Sequence, residues 1–527
     1  MKSRKSLIII LLILTIGLVG LTIAYFANST SVDNVFTTQP YGTTVTEEFT
    51  SPSNWLPGEE VDKTIVATNT GNVDEAVRIS LSENWKTANN GTLNGWITEN
   101  GNKSSHLESN EPSTDERVAV INFDNDDDWY YSNGYYYYKY KLSPNASTSS
   151  LIKSVTFNSK TKLDDTCVET STATGKTITC NSSGEDYDDA TYTLTFTIET
   201  LQYNKYKEAW NTNVNIASMK PMNATQLALK SNPVSVTNYT DGNVHEMYTF
   251  EHAATEQTPA LTDYRYIGND PYNYVYFNCD DLNNQNSETC EVWRIIGVFD
   301  VERTDPNDNT QTITERRMKL VRGSLLSTDM SWDTNEDNDW NEASLKEYLN
   351  GDYYNNLFLS SKNMINDVKY YLGAGSYGSG NYGSAEKIYT WERGTEVYSG
   401  RLTSWEGKVA LIYPSDMYMT YSNKVNETCY SDPYNCNDRE TKSGWLYNSN
   451  TYSVNSIYST TIWLLSPTSD YSNYAFQTNV SGKLNSPLYY SFETRLIWSI
   501  RPTLYLSSSV KIIDGDGSIN NPYKLSL

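Results

Sequence analysis

Four oxygen-bearing side chains alternate along one stretch: Asp333, Asn335, Asp337 and Asp339. That spacing is how a calcium loop offers its ligands, so Ca²⁺ is the first chemistry to consider. An EF-hand also needs Gly at position six and a bidentate Glu at position twelve, and here Asn338 and Ser344 stand in those places. The four residues are therefore weak Ca²⁺ candidates, and the ordinary alternative is a solvated acidic turn. Asp514-Gly515-Asp516-Gly517-Ser518 starts in the same manner and then gives Ile519, while Asp124, Asp126, Asp127 and Asp128 form a plain acidic run.

Catalytic constellations are lacking. His106, His245 and His252 stand in segments read as loops, with no H-E-x-x-H spacing, and no G-x-S-x-G elbow occurs. The glycine-rich stretch 373–383 has no phosphate-loop lysine. No residue is assigned to catalysis and no cofactor is expected, so the chain reads as a non-enzyme. Eight of the 13 tryptophans follow residue 290. Exposed, they would offer flat faces to sugar rings; buried, they would build a core.

The six cysteines fall as three close pairs: Cys167 with Cys180, Cys279 with Cys290, and Cys429 with Cys436. In an exported chain an even count implies disulfides, although six cysteines permit 15 connectivities. Local pairing is the expectation, each bridge contributing about 2–3 kcal/mol through the unfolded state. No C-x-x-C zinc or redox motif is present.

Export itself is written at the start. Met1-Lys2-Ser3-Arg4-Lys5 is basic, Leu7 to Ala24 is almost wholly aliphatic, and Ala24 supplies the small residue at which a signal peptidase would cut, leaving Tyr25 first. The apolar run is also long enough, at about 1.5 Å per helical residue, to cross a bilayer of roughly 30 Å as an uncleaved anchor. Either way the remainder lies outside the cytoplasm, and contact with membrane is confined to this segment. A net charge of −24 excludes nucleic acid as a partner, because phosphate binding needs clustered cations.

With 43 Tyr, 13 Trp and many polar turn residues, the fold class reads as mostly β. Pro57 to Trp85 reads as a half-buried β-meander, with turns at Pro57-Gly58 and Asn69-Thr70-Gly71-Asn72. Residues 86–118 read as a long polar loop. Tyr136, Tyr138, Tyr140 and Leu142 share one strand face, opposite Tyr135, Tyr137, Lys139 and Lys141. In 191–200, Tyr192, Leu194, Phe196 and Ile198 alternate with threonines, as in a sandwich strand. Met219 to Leu229 predicts a short helix capped by Asn223. Strands are expected at 274–277, 291–299 and 318–321, and a helix from Ser344 with Leu345, Tyr348 and Leu349 on one face, stopped by Gly351. The expected organisation is 1–24 signal peptide or anchor, 25–213 sandwich, 214–261 linker, and 262–527 a C-terminal α+β, loop-rich domain.

Taken in order, Ala24-Tyr25-Phe26, Asn34-x-Phe36-Thr37, Pro57-Gly58, Asn69-Thr70-Gly71-Asn72, Val77-Arg78, Gly134-Tyr135-Tyr136-Tyr137-Tyr138 and Glu199-Thr200-Leu201-Gln202 resemble the TasA/camelysin family, and more closely the SipW-dependent biofilm matrix proteins of Gram-positive bacteria. The resemblance covers about 1–213. It implies a dedicated signal peptidase, a jelly-roll-like sandwich, and self-association into extracellular fibres in which the new N-terminus completes the next subunit's sheet. The segment 86–118 and the Cys167-Cys180 hairpin depart from it. Over about 262–527, Tyr266-Ile267-Gly268, Trp293-Arg294-Ile295-Ile296-Gly297, Trp405-Glu406-Gly407-Lys408-Val409, Trp463-Leu464-Leu465-Ser466-Pro467 and Arg501-Pro502-Thr503-Leu504-Tyr505-Leu506 resemble an uncharacterised bacterial surface domain with signatures similar to C-type-lectin-like or sulfatase-modifying-factor-like folds. The function expected is a secreted matrix or cell-surface structural protein displaying a C-terminal binding domain. The alternative is a membrane-anchored monomeric adhesin that binds glycan or matrix polymer through that domain.

Overall fold

The computed structural model describes residues 42–52, 54–87, 89–93, 95, 117–124, 127–161, 167–172, 175–180, 187, 190–230, 233–238, 244–375, 385–420, 444–446, 461–479 and 490–527. The Ala24/Tyr25 cleavage point, His106, Cys429 and Cys436 lie outside them. The chain is mostly β, with 43% strand and 11% helix in several antiparallel sheets and no closed barrel among the described residues. It divides into two compact units, Met1–Lys220 and Pro221–Leu527.

In the first unit, the strands are β1 (Thr43–Phe49), β2 (Glu60–Asn69), β3 (Glu75–Lys86), β4 (Thr92–Leu93), β5 (Ala119–Phe123), β6 (Trp129–Ser132), β7 (Tyr135–Tyr138), β8 (Ile152–Phe157), β9 (Cys167–Thr172), β10 (Gly175–Cys180) and β11 (Thr191–Gln202). One sheet runs β1-β2-β8-β5 and the other β11-β3-β7-β6, with β4 beside β3. Ile65, Ile121, Ile152, Val155 and Phe157 from the first sheet share one core with Ile79, Leu81, Trp85 and Tyr136 from the second, a sandwich-like arrangement. Each such side chain contributes about 1.5–3 kcal/mol on burial.

The expected meander over 57–85 is corrected here. β2 and β3 do not pair; the turn after Asn69 carries the chain from one sheet to the other. Asn69 makes that corner possible, since its fully buried amide donates to the carbonyls of Val73 at 2.7 Å and Leu142 at 2.9 Å. The tyrosine strand buries Tyr136 and Tyr138 on one face and also Tyr137 on the other, where Leu201, Tyr206, Ile216 and Trp210 cover it.

In the second unit, β12 (Val234–Ser235), β13 (Tyr248–His252), β14 (Leu261–Arg265), β16 (Glu291–Thr304) and β17 (Thr312–Arg322) lie in one sheet. The strands Pro502–Tyr505 and Val409–Leu411 continue it, and β15 (Tyr274–Phe277) pairs with β16. The stretch read as a linker thus holds β12 and β13, together with the Ala224–Leu229 helix that Asn223 caps as expected. From Trp293 to Phe299, β16 is buried on both faces. A side chain at Gly297 would meet the carbonyl oxygen of Tyr264 at 2.2 Å, so the bulge where β14 approaches admits glycine alone.

The helix from Ser344 forms with Leu345 and Leu349 fully buried, but Gly351 does not stop it. A π-turn over Leu349–Tyr353 continues it, held because Asn350 donates to the Val409 carbonyl at 2.9 Å and accepts from the N–H groups of Lys408 and Val409. Cys279 and Cys290 form a disulfide that closes the loop between β15 and β16.

Candidate functional site

Two edge strands of the sandwich, β1 and β11, meet at one end. There Thr43 Oγ1 lies 3.0 Å from Thr200 Oγ1. Pairing with β2 puts Val45, Glu47 and Phe49 on the same side as the buried residues Ala67, Ile65 and Lys63, facing the opposite sheet. Among the described residues they are left partly open: Val45 is 45% and Phe49 49% exposed. Along β11, Tyr192, Leu194, Phe196 and Ile198 oppose the buried Trp85, Glu83, Leu81 and Ile79, yet all four are only half-buried. The threonine alternation located this face correctly.

The gap is a groove of about 620 Å³, running from Glu47 and Phe49 on one rim to 191–194 on the other. Trp55, Trp85, Phe157 and Tyr192 form an aromatic floor, with Trp55 and Trp85 parallel at 6.2 Å. Lys63 is a buried cation in this apolar surface. It pairs with Glu47 and lies 4.2 Å from the Phe49 ring centre. Beneath, Glu83 pairs with Arg117 and accepts a hydrogen bond from Tyr192 at 2.7 Å; burial raises its carboxyl pKa against those partners. Two uncovered core-facing edges can accept an extended strand, whose backbone would pair and whose alternate side chains would fill the groove.

The second unit carries a buried ionic network. His252, expected in a loop, is on β13 and almost fully buried. Nε2 faces Asp263 Oδ2 at 3.1 Å and Nδ1 faces Glu386 Oε2 at 2.7 Å. Burial opposes charge on the ring, but the two carboxylates outweigh it and raise the pKa. Arg265 joins Asp263 to Asp416, and Lys319 reaches Asp416 Oδ2 at 2.5 Å. Burial pushes Glu392 up to about 7, against Arg393 and the hydrogen bonds of Ser415. The alternation Tyr248, Phe250, His252 was the available signal for a strand here.

The candidate Ca²⁺ residues converge on other tasks. Asp333 is buried, and its carboxylate accepts the N–H groups of Asn335, Asp337 and Ser344 at 3.0–3.2 Å. Arg401 already supplies positive charge, 2.7 Å from Asp337 and 3.9 Å from Asp339. Among the described residues no group of three or more His, Cys, Asp or Glu is placed to hold a metal ion.

Of the eight late tryptophans, Trp293, Trp332, Trp340, Trp445 and Trp463 are buried, and Trp391, Trp405 and Trp498 pack half-buried on the same core. Arg294 is likewise internal, stacked on Tyr274 and Trp445 and bonded to Asn273 and Asp270. These signatures contribute to the buried interior of the second unit. The strands β9 and β10 set Cys167 opposite Cys180 in register. No known protein family matches the chain, and no curated protein matches it.

Proposed function

We propose that this chain is a secreted structural protein of the extracellular matrix or cell surface, whose first unit polymerises by strand donation and whose second is a display domain. In this reading the first unit is a jelly-roll-like sandwich of the TasA/camelysin kind and the second is C-type-lectin-like. The observation that carries it is the open seam between β1 and β11. The occupant is the segment 25–41 of a second copy, released when the signal peptide is cut after Ala24.

Three features support that occupant. Phe26, Val32 and Phe36 stand at even positions and would share one face of an extended strand. At ~3.3 Å per residue, the 11 residues from Phe26 to Phe36 cover ~36 Å, close to the ~40 Å of the 12-residue β11. β1 runs from the closed end of the seam to the groove, so the chain enters it at the end opposite the groove.

Electron microscopy of the chain beginning at Tyr25 tests this. Fibres are expected, and a chain beginning at Gly42 should remain monomeric. Fibres formed equally well without 25–41 would overturn the reading.

A further inference from the structure

A buried carboxyl takes part in holding the closed end of the seam. Gly42 accepts hydrogen bonds at its carbonyl from the N–H groups of Thr70 at 2.8 Å and Gly71 at 3.0 Å. Its own N–H donates to Glu75. Thr43 Oγ1 donates to Glu75 Oε2 at 2.7 Å and touches Thr200. Glu75, at the start of β3, therefore ties the root of β1 to β3 and, through Thr43, to β11.

This carboxyl is fully buried, and its other oxygen, Oε1, has no hydrogen-bond partner among the described residues. The groups that face it are the Thr43 hydroxyl and the Gly42 N–H; the adjoining charges are paired among themselves, Asp74 with Lys141 at 2.8 Å and Glu199 with Arg78 at 2.5 Å. A buried carboxylate without a counter-ion is costly, whereas a neutral carboxyl at the same place is not. Burial accordingly pushes Glu75 up to about 7, against the hydrogen bonds from Thr43 and Gly42.

We propose that Glu75 is a proton-operated catch at the root of β1, closed while the carboxyl is protonated and released on ionisation, so that proton concentration regulates strand donation. This rests on the reading of the seam as an acceptor. The direction follows from the raised pKa: the contribution to the closed state is complete below the ordinary carboxyl range and is lost as pH rises through about 7.

Hydrogen–deuterium exchange of peptides covering 42–49, on dilute monomer beginning at Tyr25, reads the catch without requiring fibres. Protection, corrected for intrinsic exchange, should fall several-fold between pH 6 and pH 8. In Glu75→Gln it should not change with pH, and in Thr43→Val it should be low at both. Protection that ignores pH in the unaltered chain, or that still responds in Glu75→Gln, overturns the catch. Fibre growth followed by light scattering should be faster at pH 8 than at pH 6; a pH-responsive root with no fibres at either pH overturns the assembly reading and leaves the catch standing.

Discussion

The imidazole of His252 lies flat on the ring of Tyr389, with centroids 3.6 Å apart and planes 10° from parallel. The guanidinium of Arg393 covers the same tyrosine at 3.5 Å. His252 can donate to Asp263 and Glu386 together only as a cation, because neutral imidazole has one N–H. Its raised pKa means that its stabilisation is complete below about pH 6.5 and is lost as pH rises through the folded value. Calorimetry from pH 6 to pH 9 should show the second unit's melting temperature falling, and His252→Gln should flatten that dependence.

Lys319 and Asp416 form a buried pair that Arg265 completes. Lys319→Met should cost about 3–5 kcal/mol in urea unfolding, since it strips Asp416 of one counter-charge inside the fold. The double change Lys319→Met with Asp416→Leu should cost less than the two single changes summed, which a double-mutant cycle reads directly.

Leu194 sits on the groove rim, half-buried. Leu194→Lys should abolish fibre growth while costing no more than about 1 kcal/mol of monomer stability, the centre of the range for point changes. Loss of fibres accompanied by a collapsed melting temperature would count against a specific acceptor role.

Cys279 and Cys290 are bridged, and the register of β9 with β10 aligns Cys167 and Cys180. Peptide mapping without reduction should recover both local pairs. Cys279→Ser with Cys290→Ser should destabilise the second unit by about 2–3 kcal/mol.

Local pattern carried far into the fold. The alternation of Tyr192, Leu194, Phe196 and Ile198 fixed a strand and its inner face, and Asn223 announced a helix cap that formed with both hydrogen bonds. Contacts distant in sequence were illegible. Sheet exchange after Asn69 depends on a buried amide reaching Leu142, and both-face burial of Tyr137 depends on residues beyond 200. His252 looked isolated because its two carboxylates are 11 and 134 residues away. The seam was legible only as its walls: no pattern within β1 or β11 states that a groove lies between them.

Under the proposed assembly, part of each sandwich's stability would be supplied by the strand of a neighbour. Under the proposed assembly, an interior copy would be completed by its neighbour and would resist unfolding, whereas the copy at one terminus would keep an empty seam. Proteolysis and unfolding would then begin at that terminus and proceed copy by copy, giving the polymer a direction of decay as well as a direction of growth.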